Sequence, residues 1–373
     1  MMILIRTDSS YEIGFGHLYR MLEVAKYLAK AGYDIIFLCR KLEGNLNSKI
    51  TDSGFGLLEL PFNSIPVDDA STPHSHWLTV TQDDDARQTL ELASSLIDAK
   101  KNMVWLIQDH FALSDLWQEK VASSLGCKIA VIDGLADRKH HCDLLIDPNW
   151  VHDARDWLPW LDESCQLFLG PENILFKESL KKIGARRRIG PSTSLFALLV
   201  SFGGVDKINA TMQALSALKN LVACRKVEID VVIGAGYQYE DELREYVSQF
   251  SSITIHKDTD AIAELINRAD LAVGAAGTMA WERLAQGLPT LHYCLAENQD
   301  ALAKSLAKRG VASDMGHISH FSKPALERQV VEMMTVPDRL KSMSDQCLSC
   351  RLLERKAPIW LSFIMGNKGT VHD

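Results

Sequence analysis

The sequence predicts an α/β protein made of two Rossmann-like domains facing a cleft. Three observations lead there. The chain has 373 residues, more than a single core of ordinary size needs, so two domains are expected. Short apolar runs alternate with amphipathic stretches, the rhythm of β-α units and mostly parallel sheets. Glycine-containing loops follow several of those runs, and open α/β sheets bind their ligands at the carboxyl ends of their strands.

In the first half, strands are expected at Met2–Arg6, Asp34–Cys39, Met103–Gln108, Lys128–Ile132 and Leu144–Ile146, with a weaker one at Gly54–Leu60. A helix from about His17 to Ala31 presents Leu18, Met21, Leu22, Ala25 and Leu28 on one face, and Gly32 stops it. The stretch 61–82 is polar and reads as a surface excursion before a helix near Asp83–Ala99. The rhythm breaks from about Asn149 to Ser194, where Trp150, Trp157 and Trp160 precede the basic run Arg186–Arg188 and Gly190-Pro-Ser-Thr-Ser194. The domains are therefore drawn as 1–160, a crossing over 161–194, and 195–365.

The second half is more regular. Strands are expected at Leu195–Ser201, Val227–Ile233, Ile253–His256, Asp270–Gly274 and Thr290–Cys294. Helices are expected at Asn209–Leu221, Tyr239–Gln249, Asp260–Arg268, Thr278–Gln286, Gln299–Lys308 and Lys323–Met334, then over Arg339–Ile364 with a break at Pro358.

Composition narrows the class. Hydrophobic residues make up 47% and charged residues 24%, as in soluble globular enzymes. A net charge of -8 argues against a nucleic-acid partner. No apolar run approaches the length of a membrane span, and the amino terminus is too short in apolar residues for a signal peptide. A cytoplasmic monomer with reduced thiols is expected. Cys347-x-x-Cys350 has no second pair at zinc spacing, and nothing completes a ligand set around His140-His-Cys-Asp143. No metal and no cofactor are expected.

The chemistry is sought at the strand ends. Ser201-Phe-Gly-Gly-Val-Asp206 offers backbone amides at Gly203 and Gly204 to an oxyanion, ahead of a helix start that favours negative charge. A plain strand-to-helix turn fits it equally. Gly274-Ala-Ala-Gly-Thr-Met-Ala-Trp-Glu282 is more specific. Gly277 and Thr278, with Thr278 as a helix cap, suit a diphosphate, and Glu282 one turn later can accept two hydrogen bonds from a ribose diol. Asn298 and Gln299 follow the next strand and can bond a sugar or orient a water. Ile233–Tyr237 is a glycine loop of structural character.

In the first half, Asp8 and Ser9 end the first strand and Gly14-Phe-Gly16-His17 follows. Gly14, Gly16 and Tyr19 do not complete G-x-G-x-x-G, and Arg40 stands where a ribose-binding acid belongs, so a nicotinamide dinucleotide is not expected. His17 can serve as a general base, kept neutral by the helix start, or can simply pack there. Asp109, His110 and Phe111 end another strand. Asp133, Arg138 and His141 reach the same rim, either to tie the loop together or to touch substrate.

Taken in order from Arg6 to Gln299, these motifs resemble the UDP-2,4-diacetamido-2,4,6-trideoxy-β-L-altropyranose hydrolases of pseudaminic acid biosynthesis. That family is similar in fold to the peptidoglycan N-acetylglucosaminyltransferase. The resemblance implies a GT-B fold, UDP held mainly by the second domain, and metal-independent, inverting hydrolysis at the anomeric carbon. It places the catalytic histidine at His17, the ribose ligand at Glu282 and a site asparagine at Asn298. Asp8 or Asp109 is expected to steady the imidazolium. Gly14, Gly16 and Arg20 are expected to line the substrate. Phe111 stands where the family often has Tyr, and Gly134 where it often has a second Asp. An inverting glycosyltransferase, a nucleotide-sugar 2-epimerase and a non-catalytic UDP-sugar-binding protein are the alternatives.

Overall fold

The computed structural model describes residues 1–63, 71–98, 103–185, 195–355 and 357–366. The basic run Arg186–Arg188, the 190–194 segment, Ala99 and the chain beyond Gly366 lie outside the described residues. The chain divides into two compact units, Met1–Leu175 with Ala357–Asp373, and Phe176–Lys356.

The first unit holds a seven-stranded sheet in the order β3-β2-β1-β4-β5-β6-β7. Its strands are β1 (Met2–Thr7), β2 (Asp34–Arg40), β3 (Gly56–Leu60), β4 (Met103–Asp109), β5 (Lys128–Ile132), β6 (Leu144–Asp147) and β7 (Gln166–Leu169). All pairs are parallel, and β1 is buried along its whole length, as expected for a sheet covered on both faces. The helix Gly16–Lys30 follows β1 and buries Leu18, Met21, Leu22, Val24, Ala25 and Leu28. Each large side chain so buried contributes about 1.5–3 kcal/mol.

The second unit holds a six-stranded parallel sheet in the order β10-β9-β8-β11-β12-β13. These are β8 (Phe196–Ser201), β9 (Val227–Ile233), β10 (Ile253–Lys257), β11 (Leu271–Ala275), β12 (Thr290–Cys294) and β13 (Ser313–His317). In each sheet the strand order reverses once, between β1 and β4 and between β8 and β11. Those switch points are where the carboxyl ends of the strands open a crevice.

Several expectations are corrected. The first unit runs past residue 160, because β7 pairs with β6 and completes its sheet. Trp157, where the rhythm of the sequence breaks, is core: it is fully buried, with its indole N–H donating to Asp147 at 3.2 Å. Within the excursion at 61–82, Ser75–Leu78 forms a helical turn that buries Trp77 and Leu78; residues 64–70 are outside the described set. The final helical stretch ends at Ser349, and a separate helix, Ile359–Ile364, returns to the first unit. There Trp360 is buried and donates to the Asn173 carbonyl at 3.0 Å.

Candidate functional site

The loop after β1 is a closed turn. Gly14 N–H donates to the Ser10 carbonyl at 2.9 Å, and the Ser10 hydroxyl accepts from Glu12 and Ile13 N–H. Gly14 has a φ of 81°, which is why a glycine stands there. Gly16 opens the helix, whose start carries no side-chain cap.

His17 lies in the first turn of that helix. Its Nδ1 is 2.7 Å from Asp109 Oδ1. Arg20, one turn further, grips the same carboxylate with Nε and Nη2, both at 2.7 Å. Burial opposes ionisation of Asp109, but the Arg20 charge and the hydrogen bonds from His17 and Arg20 outweigh it and hold the carboxyl at about 2. An ionised Asp109 takes a proton-bearing Nδ1, so the neutral ring presents the lone pair of Nε2. The Phe111 ring meets His17 edge-on at 4.7 Å and Trp77 lies 6.1 Å away, giving the histidine an apolar wall.

Asp8 does not partner His17. Its Oδ1 accepts from Arg6 Nη1 and from Arg40 N–H, both at 2.6 Å, and its Oδ2 is 3.0 Å from His110 Nε2. Arg6 and Arg40 both also bind Asp85, and all four side chains are fully buried. The sequence expectation that left Asp8 open as a catalytic partner is corrected: this network consumes its oxygens. His110 accepts from Ala112 N–H at Nδ1, 3.1 Å, so its proton sits on Nε2 and the ring is neutral. Burial pushes its pKa down against the pull of Asp8. The pair braces the ends of β1 and β4.

Asp133 and Arg138 form a buried ion pair, and the Arg138 guanidinium lies 5.9 Å from the Phe111 ring centre. His141 does not join them. Its side chain is 49% exposed and faces Asp162 at 3.4 Å, whereas buried His140 brings Nε2 to 3.5 Å from Asp133. A Cβ at Gly134 would fall 2.1 Å from the Asn149 side-chain amide, which would have to swing aside. Trp77 and His74 were missed by the sequence reading. His74 lies 4.6 Å from Trp77 and 5.7 Å from Phe111, ring to ring, and the one signal was a Trp-Leu pair inside a polar stretch.

In the second unit, Gly203 has a φ of 98° and its loop leads to Asp206. That carboxylate accepts from Ala210 N–H at 2.8 Å and Thr211 N–H at 2.9 Å, while Asn209 accepts from Met212 N–H. The helix Ala210–Ala223 is thus capped by its own chain. The expectation that its start would attract an outside anion is corrected; only the loop amides of Gly203 and Gly204 stay in play.

The loop after β11 differs. The helix Thr278–Ala285 begins with Gly277 in an extended conformation and no side-chain cap. Thr278 is its first residue and not its cap, another correction. Gly274 lets β8 and β11 approach, since a Cβ there would meet the Ser201 carbonyl at 2.1 Å. Glu282 is mostly buried, with Oε1 3.7 Å from Lys177 Nζ. Gln299 accepts from Leu295 N–H at 3.0 Å, and its amide nitrogen would lie 3.9 Å from a Cβ on Gly277, so those two belong to one cluster. Asn298 is exposed beside them. Among the described residues no three His, Cys, Asp or Glu side chains gather as metal ligands, and no helix is long and apolar enough to cross a membrane.

Two parallel sheets with loop clusters at their switch points define a protein of the GT-B fold, and comparison with known structures bears this out. Acinetobacter baumannii MurG superposes with a TM-score of 0.62 at 14% identity, covering 98% of this chain and 99% of that one. The spinosyn rhamnosyltransferase SpnG, complexed with thymidine diphosphate, superposes with a TM-score of 0.66 at 14% identity over 98% and 100%. Residues 198–356 match the glycosyltransferase family 28 C-terminal domain. Over its length the chain is similar to the UDP-2,4-diacetamido-2,4,6-trideoxy-β-L-altropyranose hydrolase of Campylobacter jejuni, at 26% identity over 83% of this chain and 97% of the relative.

Proposed function

We propose that this protein is a nucleotide-sugar hydrolase that cleaves UDP-2,4-diacetamido-2,4,6-trideoxy-β-L-altropyranose to UDP and the free sugar, a step of pseudaminic acid biosynthesis. The observation that carries the reading is the His17–Asp109–Arg20 constellation. A buried carboxylate fixes the tautomer of a histidine whose other nitrogen can accept a proton, the arrangement a general base needs. The resemblance to the Campylobacter jejuni hydrolase supplies the substrate.

The chemistry balances without a metal. Water oxygen attacks the anomeric carbon from the face opposite UDP, and its proton passes to His17 Nε2. The C1–O bond to the β-phosphate breaks, its electron pair leaves with UDP, and the configuration inverts. Asp109 stabilises the imidazolium. In the second unit, the amides around Gly277–Thr278 and Gly203–Gly204 receive the diphosphate charge, and Glu282 receives the ribose hydroxyls. Gly14 and Gly16, carrying no side chains, leave room for sugar and water beside His17.

The family 28 C-terminal domain favours a second reading, inverting transfer of the sugar to an acceptor. Incubation of the protein with the UDP-linked diacetamido sugar in oxygen-18 water, without metal, separates the two. Label in the free sugar is expected. Label in UDP overturns C–O cleavage, and turnover that requires an added acceptor establishes the transferase.

A further inference from the structure

Buried arginines in this protein come with carboxylates. Arg6 has Asp8 and Asp85, Arg40 has Asp85, and Arg138 has Asp133. Arg283, in the helix Thr278–Ala285, is the exception among the described residues. It is 1% exposed, its Nη2 donates to the Ala275 carbonyl at 2.7 Å, and its Nε has no partner. No carboxylate lies within ion-pair distance of it among the described residues; Glu282, next in sequence, stands beside Lys177 instead. The residue across the sheet offers no relief. His292 pairs in register with Gly274, is 2% exposed, and leaves both ring nitrogens unbonded. Burial, and then the Arg283 charge, push the imidazole pKa well below its usual range. Burial likewise draws the guanidinium pKa down to about 10, against the partial pull of the Glu282 charge.

An isolated buried cation is strongly disfavoured unless something neutralises it. The position of Arg283 says what that is. A Cβ on Gly274 would come within 2.9 Å of Arg283 Nη1 and 2.1 Å of the Ser201 carbonyl, so the guanidinium sits where β8 and β11 run out into their two glycine loops. The carbonyl it binds, Ala275, is three residues before the uncapped helix start at Thr278. One of those loops already carries the Asp206 carboxylate at its helix; the other carries no acid at its helix start.

We infer that Arg283 is the built-in counter-charge for the diphosphate of the bound nucleotide, a positioning residue that acts from beneath the loop 275–278. It rests on the nucleotide-sugar reading above and adds a residue to it. Arg283 holds the Ala275 carbonyl inward while the Ala276 N–H of the same peptide donates to the Tyr293 carbonyl at 3.2 Å, which pins the strand end beneath Gly277 and Thr278, and its charge reaches the phosphates through a dry interior, where screening is weak. The apo protein is left with an unpaired charge that the diphosphate completes.

The test is calorimetric titration of UDP and of uridine into wild type, R283Q and R283K. R283Q keeps a donor for the Ala275 carbonyl but no charge. It is expected to weaken UDP on the order of 10-fold to 100-fold and uridine by less than about 2-fold, with R283K recovering most of the loss. Equal losses for both ligands, or wild-type UDP affinity in R283Q, overturn the inference. A wild-type protein that does not bind UDP fails the nucleotide reading instead. H292E covers the case of a misfolded R283Q: it gives the guanidinium a carboxylate from β12, and is expected to raise the melting temperature while weakening UDP selectively. Unchanged UDP affinity in folded H292E counts against Arg283 in the same way.

Discussion

Asp109→Asn probes the proposed catalytic pair most directly, because its effect on stability and its effect on turnover can be computed separately. In the folded protein the carboxyl is fully buried between His17 and Arg20, and its pKa falls from 3.8 to about 2. At about 1.4 kcal/mol per pH unit, ionised Asp109 therefore contributes about 2 kcal/mol. The pKa is depressed, so this contribution is complete above about pH 4 and is lost as pH falls through about 2. Asn in its place should cost about 2 kcal/mol at pH 7 and about half as much at pH 3. The general figure for breaking a buried ion pair is about 3–5 kcal/mol; Arg20, with 23% of its side chain exposed, recovers some solvation and brings the cost below that. Urea unfolding of both proteins at the two pH values measures it. Turnover should fall on the order of 100-fold or more, because Asn can hold the wrong tautomer of His17, while UDP affinity stays within about 3-fold. Unfolding curves that coincide at pH 7, or a gap that does not narrow at pH 3, refute the electrostatic account. Near-normal turnover refutes the catalytic one.

Three further outcomes are expected. His17→Ala should lose most turnover with UDP affinity changed by less than about 3-fold, read from steady-state kinetics beside calorimetry; turnover near wild type removes His17 as the base. Glu282→Gln should weaken UDP about 10-fold and 2′-deoxy-UDP much less, since a charged acceptor for a hydroxyl is worth about 1.5–3 kcal/mol; equal losses would take Glu282 off the ribose. Trp360→Ala should destabilise the first unit by about 3–5 kcal/mol, because Trp360 is 1% exposed and bonded to Asn173; unchanged urea unfolding would mean the returning helix is dispensable.

The strands that flank the switch points were legible because their signals are local. Met2–Thr7 and Leu271–Ala275 are short apolar runs ending in glycine-containing loops, and a strand end with glycine declares itself within ten residues. What was lost needed the third dimension. The edge strand β13, Ser313-Asp-Met-Gly-His317, has no apolar run to read, and β7 is four residues long. His140 and His141 are adjacent, but His140 is held extended by a bridge to Leu161, and extended backbone points neighbouring side chains to opposite sides, so one is buried against Asp133 while the other meets solvent. Asp8 and Asp109 end neighbouring strands and are equal candidates in sequence. The choice between them was made by Arg6 and Arg40, which bind Asp8 and join it through Asp85 to residues far apart in the chain.

The two glycine loops of the second unit make the same point about function. In sequence they look alike: a strand, small residues, a helix. Asp206 separates them. Its carboxylate takes the Ala210 and Thr211 amides, so the helix dipole there is already answered from within the chain. At Thr278 no side chain answers it, and the nearby buried charge, Arg283, has the same sign as the helix start. Two positive features left together in a folded protein raise its energy unless a ligand anion joins them. On that argument the loop after β11 is the proposed phosphate site, and the loop after β8 supplies at most the amides of Gly203 and Gly204. Removing the cap tests the contrast: Asp206→Ala should cost the helix about 1 kcal/mol, measured by urea unfolding, and should leave UDP affinity within about 2-fold. A large loss of UDP affinity in that variant would move the phosphates to the first loop and reverse the assignment.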